Sequence, residues 1–102
     1  MPTARAIAAA TTDPHSWARH PLTPEQVAEV PDEPGVYVLL GSRAVVNYVG
    51  ASGSLRERLE THIANGRVPA GTFAYLVTGS LAEAGRIEGK LIEEAEPRYN
   101  AS

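Results

Sequence analysis

The chain contains no cysteine in 102 residues, which excludes disulfide bridges and thiolate metal sites. That absence agrees with a reducing, cytoplasmic setting. Long apolar runs are missing too. None approaches the roughly 20 residues a membrane-spanning helix needs. Met1 to Ala10 also lacks the apolar core of a secretory signal. Positive charge is scarce: nine Lys and Arg face twelve Asp and Glu, a formal net charge of −3. Such a balance argues against a protein that embraces a polyanion with its whole surface, so the distribution of charge matters more than the total. Residues 1–35 carry two Arg against five acids, and residues 80–102 carry three basic groups against five acids. Residues 36–79 reverse the sign, with Arg43, Arg56, Arg58 and Arg67 against Glu57 and Glu60. An anion would meet the protein in that middle stretch. With 43% hydrophobic and 21% charged residues, the chain reads as one soluble globular domain.

Two apolar runs organise the middle of the sequence, Gly35-Val36-Tyr37-Val38-Leu39-Leu40 and Ala44-Val45-Val46-Asn47-Tyr48-Val49. Both are rich in β-branched and aromatic residues and predict antiparallel strands. Gly41-Ser42-Arg43 predicts a short hairpin loop with the glycine free to adopt a positive φ. Each strand brings one tyrosine, Tyr37 or Tyr48, and by itself a strand tyrosine reads as a half-buried structural residue.

Before the hairpin, residues 1–22 have no sustained period and read as an arm anchored by Trp17, with an Ala-rich turn near Arg5–Ala10. His15 and His20 in that arm lack a converging ligand set and read as ordinary loop histidines. Thr23-Pro24-Glu25-Gln26 predicts the capped start of a short helix closed by Pro31. After the hairpin, Ser54 caps a helix over about Leu55–Ala64 that stops near Asn65-Gly66. Its apolar stripe is Leu55, Leu59 and Ile63, and Arg58 and His62, four residues apart, project together beside it. Phe73, Tyr75 and Val77 alternate along a third strand, Thr72–Thr78. Ser80 and Glu83 form a capping box for a last helix over Leu81–Ala95. Glu88 falls inside that helix's apolar arc. A bare carboxylate there costs several kcal/mol, so Glu88 is either paired, for instance with Arg58, or a cation ligand.

These residues together resemble the GIY-YIG nuclease superfamily, in the small form seen at the amino terminus of bacterial excision-repair endonucleases. The first motif stands as Gly35-Val36-Tyr37, the second as Tyr48-Val49-Gly50, and the helix signature as Ser54-Leu55-Arg56-Glu57-Arg58-Leu59. His62 falls one turn after Arg58, the metal-binding glutamate in Glu88-Gly89-Lys90-Leu91-Ile92, and the terminal motif in Pro97-Arg98-Tyr99-Asn100. Five landmarks in order over Pro34–Asn100 make the resemblance specific. Two features depart from it. Ala51 stands where excision-repair members carry a lysine, which removes a cation near the scissile phosphate. The segment from His62 to Glu88 is also short for that branch, so the chain is more like a small stand-alone member.

The resemblance implies an α+β domain of β-β-α-β-α order, with a three-stranded antiparallel sheet flanked by helices over residues 31–102. An arm with a short helix precedes it over residues 1–30. It also implies a divalent-metal-dependent DNA endonuclease. Catalytic roles fall to Tyr37, Tyr48, Arg58, His62 and Glu88, with Glu88 holding one Mg²⁺ or Mn²⁺. A single carboxylate suffices for an ion that keeps waters and takes a substrate phosphate. Arg58 offers planar paired donors to phosphate oxygens. Tyr37 or Tyr48 would take the proton or hold the water, or His62, with an ordinary pKa of about 6.5, would do so instead. Gly50, Arg43, Arg56, Arg67 and Asn100 are expected to touch the DNA, whose strandedness stays open, as does the oligomeric state. A weakly active or inactive nucleic-acid- or protein-binding module is the competing expectation, motivated by Ala51, the net negative charge and the small size.

Overall fold

The computed structural model describes residues 13–100; the Arg5–Ala10 turn lies outside them. Four strands form one antiparallel sheet: β1 (His20–Pro21), β2 (Gly35–Leu40), β3 (Val46–Ser52) and β4 (Thr72–Val77), in the order β1-β4-β2-β3. The helices are α1 (Pro24–Val27), α2 (Leu55–Asn65) and α3 (Leu81–Ala95). Sequence expects three strands. The fourth, β1, is two residues of the arm paired through His20↔Phe73 and Pro21↔Thr72. A strand that short leaves no period to detect.

All six residues of β2 are buried, because both faces of the sheet are covered. Val36, Val38 and Leu40 point towards α3 and pack with Val49, Ala74 and Leu91. Tyr37 and Leu39 point the other way and pack with Val27, Val30, Leu55, Leu59 and Phe73. The alternation of strand side chains therefore sorts one apolar run into two cores. The described part of the arm contributes to both. Trp17 packs with Val36, Val38 and Leu91 on the α3 side, and Val27 and Val30 pack on the α2 side.

The helix boundaries follow local chemistry. Ser54 Oγ accepts from the Glu57 N–H and donates to Asp32 Oδ1. Gly66 ends α2 with φ of 60°. Ser80 Oγ accepts from the Glu83 N–H at the start of α3. The short α1 ends at Val27, before Pro31. In the hairpin, Gly41 has φ of −94°, whereas Arg43 and Ala44 take φ of 59° and 58°. The left-handed backbone expected at the glycine thus falls on Arg43 and Ala44, two and three residues further on.

The ladder between β2 and β3 slips between Leu39↔Tyr48 and Leu40↔Val46, leaving Asn47 as a bulge. The Asn47 carbonyl accepts the Tyr99 N–H at 2.9 Å and its Nδ2 donates to the Pro69 carbonyl at 2.7 Å. Two residues on, Asn100 Oδ1 accepts the Val49 N–H and Asn100 Nδ2 donates to the Val49 carbonyl, both at 2.7 Å. The carboxyl-terminal segment thereby satisfies the outer edge of β3.

The anchoring of the arm is measurable. Trp17 is 9% exposed, and replacing it with alanine should lower the unfolding free energy by about 3–5 kcal/mol. Urea denaturation followed by circular dichroism measures this, and an unchanged midpoint would contradict the packing.

Candidate active site

The site begins with a steric fact about Gly50. Tyr37 and Gly50 are cross-strand partners, and a methyl group on Gly50 would overlap the Tyr37 hydroxyl and ring. Gly35 has a similar role one motif earlier, since a side chain there would overlap the Leu76 carbonyl and Leu55. The two motif glycines thus make room, the first for α2 and β4, the second for a tyrosine ring. Gly50, expected to touch substrate, is buried and acts through Tyr37.

Tyr37 is 1% exposed, and its hydroxyl lies 2.7 Å from His62 Nε2. His62 Nδ1 is buried and has no hydrogen-bond partner among the described residues. Tyr48 completes an aromatic group, its ring 6.2 Å from Tyr37 and 4.8 Å from His62. Burial pushes the Tyr37 phenol well above its ordinary value. The neighbouring Tyr48 pushes the same way, Arg58 opposes, and the charge of Glu88 adds to the rise. His62 is pushed down, by burial first and the Arg58 guanidinium second. The resting pair is therefore a phenol beside a neutral imidazole.

Arg58 and His62 do project together, as their spacing requires. They line one depression of about 330 Å³ with Tyr48, Arg67 and Tyr99, at the low end of the range for small-molecule sites, about 300–1,000 Å³. Arg58 is exposed and also lines the adjoining depression, with Ser52, Ser54 and Thr61. Among the described residues neither the Arg58 side chain nor Glu88 makes a hydrogen bond or ion pair. The structural pairing of those two residues is therefore not formed. Glu88 stands half-buried on α3, and its charge is felt at Tyr37.

The remaining expected residues divide. Arg67 is in the groove. Arg56 donates its Nε–H to the Val30 carbonyl at 2.8 Å and so ties α2 to the turn after α1. Asn100 commits both ends of its amide to Val49. Arg43 is exposed in the hairpin turn, where its neighbour Ser42 and Val45 line a further depression. Ala51 pairs with Val36 and shares its α3-side face. His20 stacks on Tyr75 at 5.8 Å and Phe73 at 5.4 Å. Beyond their place in the terminal motif, the sequence assigns no site role to Tyr99 or Arg98. Their segment is net acidic, and only its return along β3 brings them to the groove.

No group of three or more His, Cys, Asp or Glu among the described residues could hold a metal. A dedicated protein cage is thus a poor fit for this site. A lone carboxylate with no partner among the described residues fits an ion that keeps most of its waters.

The four-stranded antiparallel sheet flanked by helices, with its paired Gly35-Val36-Tyr37 and Tyr48-Val49-Gly50 segments, is the α+β fold of the GIY-YIG class. The comparisons carry this further: residues 33–101 match the model of the UvrC-like GIY-YIG domain, and the chain belongs to that family. The UvrABC system protein C of Moorella thermoacetica is 34% identical over 86 residues, and that of Desulforudis audaxviator is 39% identical over 84. These matches cover 76% and 74% of the chain but only 14% of each relative. The amino-terminal GIY-YIG endonuclease domain of UvrC from Thermotoga maritima, bound to its catalytic magnesium, superposes with a TM-score of 0.67 at 27% identity, covering 76% of this chain and 93% of that one. No helix among the described residues is long and apolar enough to cross a membrane.

Two outcomes follow from this geometry. Gly50→Ala should displace Tyr37, cost about 1–3 kcal/mol of stability and remove the Tyr37–His62 contact. Chemical denaturation together with the His62 ring resonances in NMR measures both, and a variant with wild-type resonances would contradict the overlap. The second outcome concerns pH. The unfolded chain binds a proton at His62 near pH 6.5 that the folded protein resists, so stability is complete above that pH. It should fall as the pH drops through 6.5 and below. The slope between pH 7.5 and 5 should be shallower in His62→Gln; equal slopes would place the proton elsewhere.

Proposed function

We propose that this domain is a divalent-metal-dependent endonuclease that hydrolyses phosphodiester bonds in DNA, acting in the cytoplasm. One observation carries the reading. Arg58, Tyr48 and His62 line a single groove, with the buried Tyr37 hydroxyl behind it on His62 Nε2 and within the field of Glu88. Hydrolysis needs a route for the proton of the attacking water, neutralisation of the phosphate and help for the departing oxygen.

Arg58, exposed and without an ion-pair partner among the described residues, presents its planar fork to two phosphate oxygens. Arg67, in the same depression, holds a flanking phosphate. The proton route is constrained by His62. Its Nε2 is engaged by Tyr37 and its Nδ1 is buried, so it does not take a proton from water directly. Tyr48 lines the groove and its ring lies 6.2 Å from that of Tyr37. The proton therefore leaves through Tyr48, passes to the Tyr37 oxygen, and the Tyr37 proton moves to His62 Nε2. Arg58 opposes an imidazolium in the free protein. A phosphate seated on Arg58 offsets that charge, so His62 becomes a better acceptor once substrate is bound. Glu88 is the residue that would hold Mg²⁺ or Mn²⁺, which when bound supplies Lewis-acid polarisation of the phosphate and stabilises the leaving oxyanion.

Ala51 favours a second reading, a module that binds nucleic acid without cutting, because the position lacks a cation. One experiment separates the two. Purified protein is incubated with single-stranded and duplex DNA in Mn²⁺ or in EDTA. Nicking is expected with metal and not with EDTA, and Glu88→Gln or Arg58→Ala should reduce it roughly 10²–10³-fold. Cleavage that survives Glu88→Gln would reject the metal role. Absence of both nicking and Mn²⁺ binding would favour the binding module.

A further inference from the structure

Three depressions run side by side along the outer edge of β3. Arg58 and Thr61 are shared by the first two, and Tyr99 by the second and third. The third also contains Arg98, Asn47 and Val45. They form one track with a guanidinium in each part: Arg58, then Arg67, then Arg98. Arg67 and Arg98 are exposed, and neither side chain has a hydrogen bond or ion pair among the described residues. On a protein of net charge −3, this alignment is a local property of the fold. The acids Glu57 and Glu96 line the first and third depressions and limit how far a polyanion is held beyond Arg58 and Arg98.

Between Arg67 and Arg98 stands Tyr99, 38% exposed, in contrast to the buried Tyr37. Its backbone is fixed. The Tyr99 N–H donates to the Asn47 carbonyl at 2.9 Å, and the next residue, Asn100, clasps Val49 through two 2.7 Å bonds. An aromatic ring on a fixed backbone, open on one side and flanked by two arginines, is the arrangement that receives a nucleobase: stacking takes the base while the guanidiniums take the phosphates on either side.

We propose that Tyr99 is a stacking platform for an unpaired base beside the scissile phosphate, with Arg67 and Arg98 holding the flanking phosphates. The preferred substrate is then a strand that is single-stranded or locally unpaired at that nucleotide. An intact duplex keeps its base faces stacked on one another and offers none to Tyr99. This rests on reading the Arg58 groove as the phosphodiester site.

The test measures binding in EDTA, where no cleavage occurs. Fluorescence anisotropy follows a labelled 12-nucleotide single strand and the matching duplex across a salt series, for wild type, Tyr99→Ala, Tyr99→Phe and Arg98→Ala. Thermal melts confirm that each variant is folded. Tyr99→Ala should weaken single-strand binding about tenfold, leave the salt slope unchanged and leave duplex binding unchanged. Tyr99→Phe should bind as wild type. Arg98→Ala should reduce the salt slope by about 0.7, the value for one phosphate contact on a single strand. Equal losses on single strand and duplex for Tyr99→Ala, or none on either, would overturn the proposal. Metal-dependent cleavage of duplex by Tyr99→Ala at the wild-type rate, with single-strand binding also unchanged, would refute the platform and leave the endonuclease reading standing. Absence of cleavage in every protein, with the predicted binding differences present, would refute the endonuclease reading and support the platform.

Discussion

A tyrosine ring can lie in the interior of this sheet because the residue across the ladder has no side chain. Gly50 leaves the volume that Tyr37 fills, and Tyr37 in turn places its hydroxyl on His62 Nε2. That contact joins the centre of the sheet to helix α2, whose register is set independently by Ser54 and by Leu55 and Leu59 in the core. Arg58 is carried on the same helix one turn before His62, so the position of the cation depends on the same packing. A change of one methyl group at residue 50 therefore acts on the site through the core, without touching any group that meets substrate.

The charges of the site work against one another in the free protein. Burial and then Arg58 hold His62 neutral, and Arg58 draws Tyr37 towards ionisation, while burial, Tyr48 and Glu88 hold Tyr37 as a phenol. Neither partner of the pair is ionised at rest, although a cation and an anion stand near. A phosphate bound at Arg58, as proposed, would offset the guanidinium and leave burial as the remaining cause that holds His62 neutral. The coupling requires no movement of the backbone. It requires only that Arg58 be exposed to the groove and lack a protein partner among the described residues, as it does.

The two ends of the described chain finish the sheet in different ways. The arm pairs with β4 over two residues and buries Trp17 on the α3 side, and α1 buries Val27 on the other. The carboxyl-terminal segment closes the β3 edge with a side-chain amide in place of a strand, the Asn47 bulge supplying the carbonyl that Tyr99 needs. Edge protection and groove construction are thus the same event: the residues that cap β3 also bring Tyr99 and Arg98 beside Arg67.

Local chemistry determined a good deal of this in advance. The run Gly35–Leu40 is a strand to the residue, Ser80 and the 3.6-residue period fix α3 over Leu81–Ala95, and the four-residue spacing of Arg58 and His62 puts both in one groove. Each of these depends on neighbours within a turn or a strand, which a sequence displays directly. Three things were decided only when the chain folded. Arg56 and Asn100 carry the right groups for a substrate but use them on Val30 and Val49, because the carbonyl and amide they meet lie 26 and 51 positions away. Glu88 could have paired with Arg58, and the packing of α3 and α2 on opposite faces of the sheet leaves them without an ion pair among the described residues. Arg98 belongs to an acidic stretch of sequence yet extends a basic track. Charge along a chain adds up by neighbourhood in sequence, whereas a bound polyanion responds to neighbourhood in space, and only the return of the last residues along β3 makes the second differ from the first.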